Sequence, residues 1–111
     1  MEKKQAASAP AFTPSIHEAT LGANGSVKKG IAVTQFQAEA LRKAGKDVVV
    51  CSSDLAANRA LAQSIEMSAN GKYKCCPPHA SAGAHALPHF QPVARPPAGH
   101  TFYETPNRKA K

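Results

Sequence analysis

Apolar and polar positions divide the chain into a sparse start, an ordered middle and an irregular last third. Between Thr34 and Ala44, Phe36, Ala40 and Leu41 recur at helical spacing while Gln37, Arg42 and Lys43 fall off that face. Thr34 can cap the first turn, and Gly45 supplies the left-handed residue that commonly ends a helix. The pattern predicts a short amphipathic helix. Asp47 to Cys51, with Val48, Val49 and Val50 consecutive, predicts a strand buried on both faces and therefore central. Ser52, Ser53 and Asp54 then offer caps for a second helix. That helix is predicted to turn Leu55, Leu61, Ile65 and Met67 inward and to stop at Asn70-Gly71.

After Gly71 the texture changes. Tyr73 to Cys76 predicts a short strand that Pro77 and Pro78 end. Ala86 to Val93, interrupted by Pro88 and Pro92, is at most an edge strand. His100 to Glu104 predicts a better strand, with His100, Phe102 and Glu104 on one face and Thr101 and Tyr103 on the other. Residues 1–30 read as a leader or linker, partly ordered, in which Ile16 and Val27 supply at most short edge strands. The expected fold class is α+β: two helices packed on a small, mostly antiparallel sheet, with a Pro/Gly-rich, His-dense C-terminal third. Residues 31–107 form the expected catalytic domain, and 108–111 a basic tail.

Composition narrows this picture. The 111 residues suffice for one domain, and with only four Phe and two Tyr its core is aliphatic and thin. Fourteen Lys and Arg against seven Asp and Glu give a net charge of +7, which favours a polyanionic partner. Nucleic acid is the commonest such partner; an acidic protein or an anionic membrane surface follows. Part of the surplus sits at the ends (Lys3, Lys4, Arg108, Lys109, Lys111), where it reads equally as solvated tail. Three cysteines, two of them the neighbours Cys75 and Cys76, exclude a disulfide scaffold and suit a reducing compartment, although a bridge from Cys51 to either stays open. No apolar run approaches the roughly 20 residues of a membrane span, and the start lacks the apolar stretch of a secretory signal. A monomer without its own signal peptide is expected.

Candidate chemistry concentrates between Cys75 and Glu104. His79, His85, His89 and His100 are four of the five histidines, all in Pro- and Gly-rich surroundings. Three readings compete. In the first, His89 and His100 share acid–base cleavage of a phosphodiester, since imidazole titrates near neutrality and two can give and take a proton. Arg95 would hold the phosphate, with His85 and Thr101 as further substrate contacts. No cofactor is then needed. In the second, His79, His85 and His89, with Cys75 or Cys76, bind a divalent metal, although the spacing fits no common tetrahedral pattern and Glu104 is the first nearby acid. In the third, Cys51 is a nucleophile activated by the helix that follows it; its commoner fate is a buried small hydrophobe. Walker, GxGxxG and GxSxG motifs are absent.

Four segments together carry a resemblance: Asp47 to Cys51, Asn58 to Ala62, Ala86-Leu-Pro-His-Phe-Gln91, and Gly99-His-Thr-Phe-Tyr-Glu104. Over residues 30 to 107 the chain resembles C-terminal toxin domains of bacterial polymorphic toxins, the variable ends of Rhs-type, contact-dependent or type VI-delivered effectors. The resemblance implies a toxin delivered by a carrier, acting in a competitor's cytoplasm, most often as a nuclease on RNA or DNA, and neutralised by a cognate immunity protein. It matches His89 to the histidine of a PHF segment, and His100 and Tyr103 to a GH-x-FY segment, which makes these three the implied catalytic residues. Gln91 stands where a second histidine occurs in HFH versions, which makes His89 with His100 the economical pair. A non-catalytic basic module binding nucleic acid or an acidic protein is the rival from another class. An ADP-ribosylating or NAD-consuming toxin would draw on Arg59, Thr101 and Glu104.

Overall fold

The computed structural model describes residues 14–22, 25–77, 85–93 and 98–111; the expectations attached to Lys3, Lys4, His79 and Arg95 lie outside these residues. Strands β1 (Ser15–Leu21) and β2 (Val27–Val33) lead into helix α1 (Gln35–Lys43), β3 (Val48–Cys51), helix α2 (Leu55–Asn70), β4 (Tyr73–Cys76), β5 (His89–Pro92) and β6 (Thr101–Tyr103). The strands form one sheet in the order β2-β1-β3-β6-β5-β4. Among the described residues β3 and β6 are the one parallel pair, and the other neighbours are antiparallel. The architecture is α+β, with two helices on a six-stranded, mostly antiparallel sheet.

Local chemistry sets the element ends. Thr34 Oγ1 accepts from Gln37 N at 3.1 Å while the Gln37 side chain accepts from Thr34 N at 2.9 Å, so two donors of the first turn of α1 are satisfied reciprocally. Asp54, of the three caps on offer, accepts from Ala57 N at 3.1 Å to start α2. Strand β3 is buried along its whole length, between β1 and β6, as its run of β-branched residues predicts.

Alternation splits the sheet into two packed faces. Ile16, Val48, Val50, Phe90 and Tyr103 meet Ala38 of α1 and Ala62 and Ile65 of α2. On the opposite face Val27, Val49, Cys51, Leu87 and Phe102 form a second cluster, against which Leu21 and Ala110 pack. The C-terminal tail is strapped across this face. Ala110 N donates to Glu104 Oε2 at 3.0 Å and Arg108 Nη1 to Ala86 O at 3.2 Å. Lys111 N donates to Val27 O at 2.9 Å and its own carbonyl accepts from Lys29 N at 3.2 Å.

Several expectations are corrected. Strands β1 and β2 form a paired hairpin in which β2, with Val27, is the edge strand as expected, whereas β1, with Ile16, is interior. Strand β5 is also interior: Pro88 precedes it and Pro92 is its last residue, opposite Tyr73, so neither proline falls inside its run. The basic tail is pinned, not merely solvated. The helix faces differ too. Phe36 is 81% exposed and Met67 53%, whereas Arg42, Asn58 and Glu66 are fully buried.

Each of these buried polar side chains is matched: Asn58 bonds Ser52 and the Glu104 carbonyl, and Arg42 and Glu66 bond one another. Arg42 Nε donates to Glu66 Oε1 at 2.8 Å and Nη2 to Oε2 at 3.3 Å, so opposite charges from the two helices neutralise each other inside the core. Asn70 Nδ2 at 2.7 Å and Thr101 Oγ1 at 2.8 Å complete the carboxylate's partners. Arg42 Nη1 donates onward to Lys46 O at 2.8 Å and Ala98 O at 3.0 Å. Gly99 follows with φ +92°, where a Cβ would come within 2.5 Å of Arg42 Nη1 and 2.8 Å of Gly45 O. Among the described residues no helix is long and apolar enough to cross a membrane.

Removing one member of this pair strands the other charge. Arg42→Met and Glu66→Leu should each cost about 3–5 kcal/mol, and the double variant clearly less than their sum. Urea unfolding followed by circular dichroism measures the cycle; additive costs would show that the two charges are uncoupled.

Candidate active site

The parallel pairing of β3 with β6 builds the site. Val48 lies opposite Thr101, so the residues just before them, Asp47 and His100, arrive side by side although 53 positions separate them in sequence. Asp47 Oδ1 accepts from the backbone N of His100 at 2.8 Å and bonds its ring Nδ1 at 3.0 Å. A carboxylate only accepts, so Nδ1 is the donor of this contact, which leaves Nε2 as the ring's other nitrogen for a substrate proton. The two side chains are 20% and 21% exposed, dry enough for the contact to matter and open enough to reach.

His89 begins β5 and pairs with Phe102 of β6. Its ring centroid lies 4.6 Å from that of His100, edge to face at 79°, and 5.2 Å from that of Phe102. Phe102 also lies 5.1 Å from His100, so an apolar ring underlies both imidazoles. His89 is itself nearly buried, at 4% exposure. On the same face, by register and alternation, Cys76 stands across from His89 and Lys74 across from Gln91. A cavity of about 480 Å³, lined in part by Glu18, Thr20 and Lys46, reaches Asp47 from the β1 side.

The structure therefore brings together two of the residues picked from sequence, His89 and His100, on the sheet face away from the helices. The others are placed elsewhere. Thr101 is fully buried on the helix face and its hydroxyl is committed to Glu66, a packing position rather than a substrate contact. Tyr103 shares that face; its hydroxyl lies 3.6 Å from Cys75 Sγ and beside Arg59, whose guanidinium sits 5.8 Å from the Phe90 ring. Burial, then the Cys75 hydrogen bond, push the Tyr103 phenol above its ordinary range, with Arg59 opposing. His85 donates from Nδ1 to Lys109 O at 2.9 Å and holds the tail. Of the ADP-ribosylation set, Arg59 lies on the helix face and Glu104 is buried on the other, accepting from Ala110. Among the described residues no three His, Cys, Asp or Glu side chains gather as a metal site.

Asp47 was overlooked in the sequence because it reads as the turn residue that opens a strand. The available signal was an acid directly before the most buried strand, but only the β3–β6 register shows which histidine it meets. Cys51 is corrected as a nucleophile. All three thiols are unpaired, and burial, followed by the nearby Glu104 carboxylate, pushes that of Cys51 up to about 12. Comparison with family models, with curated proteins and with solved structures finds no match.

The Cys51 thiol is neutral in the fold at pH values where the unfolded chain, at the ordinary 9.0, has ionised. Its contribution is therefore whole below pH 9 and declines as the pH rises toward 12. Urea unfolding under reducing conditions at pH 8 and pH 10.5 should show a loss of about 1–2 kcal/mol that Cys51→Ala partly abolishes. An equal loss in the variant would assign it to other groups, Tyr103 first.

Proposed function

We propose that this domain is a metal-independent ribonuclease of the polymorphic-toxin kind, with His100 as general base and His89 as general acid. The single observation that carries the reading is the pair of touching imidazoles, one of them held by a carboxylate through Nδ1. In this mechanism His100 Nε2 takes the proton of a ribose 2′-hydroxyl, whose oxygen attacks the adjacent phosphorus. The bond from phosphorus to the 5′-oxygen breaks, and protonated His89 gives its proton to that leaving oxygen. The products are a 2′,3′-cyclic phosphate and a free 5′-hydroxyl. Asp47 keeps His100 in the required tautomer and stabilises the imidazolium that forms.

The charge of +7 supports the reading, because the substrate is a polyanion whose approach is hastened by a basic surface. The resemblance of the PHF and GH-x-FY segments supports the toxin context, in which a carrier delivers the domain to a competitor's cytoplasm and an immunity protein restrains it in the producing cell.

The test is incubation of the purified protein with total RNA and with plasmid DNA, each with and without EDTA. RNA should be cleaved to cyclic-phosphate ends, EDTA should make no difference, and His89→Ala and His100→Ala should each slow cleavage by about 10²- to 10⁴-fold while circular dichroism stays native. Full activity in either variant would remove that residue from the mechanism. Cleavage abolished by EDTA would return the histidines to a metal, and no cleavage of either nucleic acid would favour the binding module.

A further inference from the structure

We propose that Arg42 is the positioning residue of the site: through Lys46 and Ala98 it sets the geometry at which Asp47 meets His100. Its guanidinium is fully buried and forks in two directions. Behind it, Nε and Nη2 grip Glu66 of α2 at 2.8 and 3.3 Å. In front, Nη1 donates to Lys46 O at 2.8 Å and Ala98 O at 3.0 Å, carbonyls from two loops 52 positions apart. The first loop delivers Asp47 one residue later and the second delivers His100 two residues later.

Each loop has little freedom left. Lys46 N donates to Leu41 O at 2.9 Å and Gly45 N to Arg42 O at 3.0 Å, which folds the first loop back onto α1. Gly99, in the second, lies so close that a Cβ would fall 2.5 Å from Arg42 Nη1. Glu66 adds a third hold through Thr101 Oγ1 at 2.8 Å, directly after His100. His100 is thus bracketed by two groups bonded to one buried ion pair, Ala98 before it and Thr101 after it, and Asp47 is held from the same pair on one side, through Lys46. An apolar pair of equal volume would fill the same space, and such replacements are often neutral or stabilising. It would also leave the Lys46 and Ala98 carbonyls without the donor that joins the two loops. Among the described residues these are then hydrogen-bonded to each other only through the β3–β6 ladder and the Asp47–His100 contact itself. The ion pair therefore contributes registration of two loops more than stability.

The kinetic arm of this proposal rests on the acid–base reading; a structural arm does not. Long-range proton–nitrogen NMR spectra of the full chain, recorded where His100 is neutral, report which ring nitrogen carries the proton. In the wild-type protein His100 should be predominantly the Nδ1–H tautomer. In Arg42→Lys, which keeps the charge but not the planar fork, its population should move toward Nε2–H, with the signals of His17 and His85 unchanged as proof of folding. In the RNA assay kcat should fall about 10- to 100-fold with KM unchanged, the scale of a misplacement near 1 Å. Thr101→Val, which removes only the third hold, should shift the tautomer in the same direction, and decides the matter if Arg42→Lys does not fold. A folded variant with the wild-type tautomer ratio would overturn the proposal. Should the wild-type protein cleave nothing, the acid–base reading falls while the tautomer comparison still decides this one.

Discussion

One buried pair of opposite charges sets how the parts of this structure are registered on one another. Arg42 and Glu66 are fully excluded from water and come from different helices, so neither helix can take its place without the other. Desolvating both is expensive, and the expense is recovered only when every donor and acceptor finds a partner. Here Asn70, Thr101, Lys46 and Ala98 supply those partners. Helix packing, the turn after α1 and the approach to β6 are consequently one cooperative unit rather than three.

On top of that unit, the sheet separates two kinds of work. One face is a conventional core of small aliphatic residues and Phe90, closed by the helices. The other carries the imidazoles, with Phe102 continuing from the second cluster beneath them. The parallel pairing of β3 and β6 matters because parallel neighbours bring like ends together: both strands start at the same edge, and the residues preceding them become a chemical pair. Antiparallel pairing there would have set Asp47 against the far end of β6.

Much of this architecture was legible locally. The caps at Thr34 and Asp54, the stop at Gly71 and the central place of β3 follow from short-range chemistry that a sequence displays directly. The approach of His89 to His100 was legible as well, since one opens a strand and the other directly precedes one in a histidine-dense stretch. What stayed hidden depends on partners distant in sequence. Arg42 and Glu66 look like solvated helix residues until they are seen to face one another, while Phe36 and Met67 stay outside the core. Asp47 looks like a turn residue until the strand register supplies His100. The hairpin of β1 and β2 was obscured because its burial does not follow its apolar residues: Ile31 is exposed and the core contribution rests on Ile16 and Val27.

The strapped tail makes the two margins of the sheet unequal as templates. At β2, Lys111 already occupies backbone groups of Val27 and Lys29, so part of that border is stitched shut from within the same chain. At the opposite border β4 offers only four residues before Pro77, a residue that has no N–H to extend a ladder. A stray polypeptide seeking to lengthen the sheet thus meets a seam on one flank and a very short landing on the other, which guards a small, proline-rich fold against growing into a fibre.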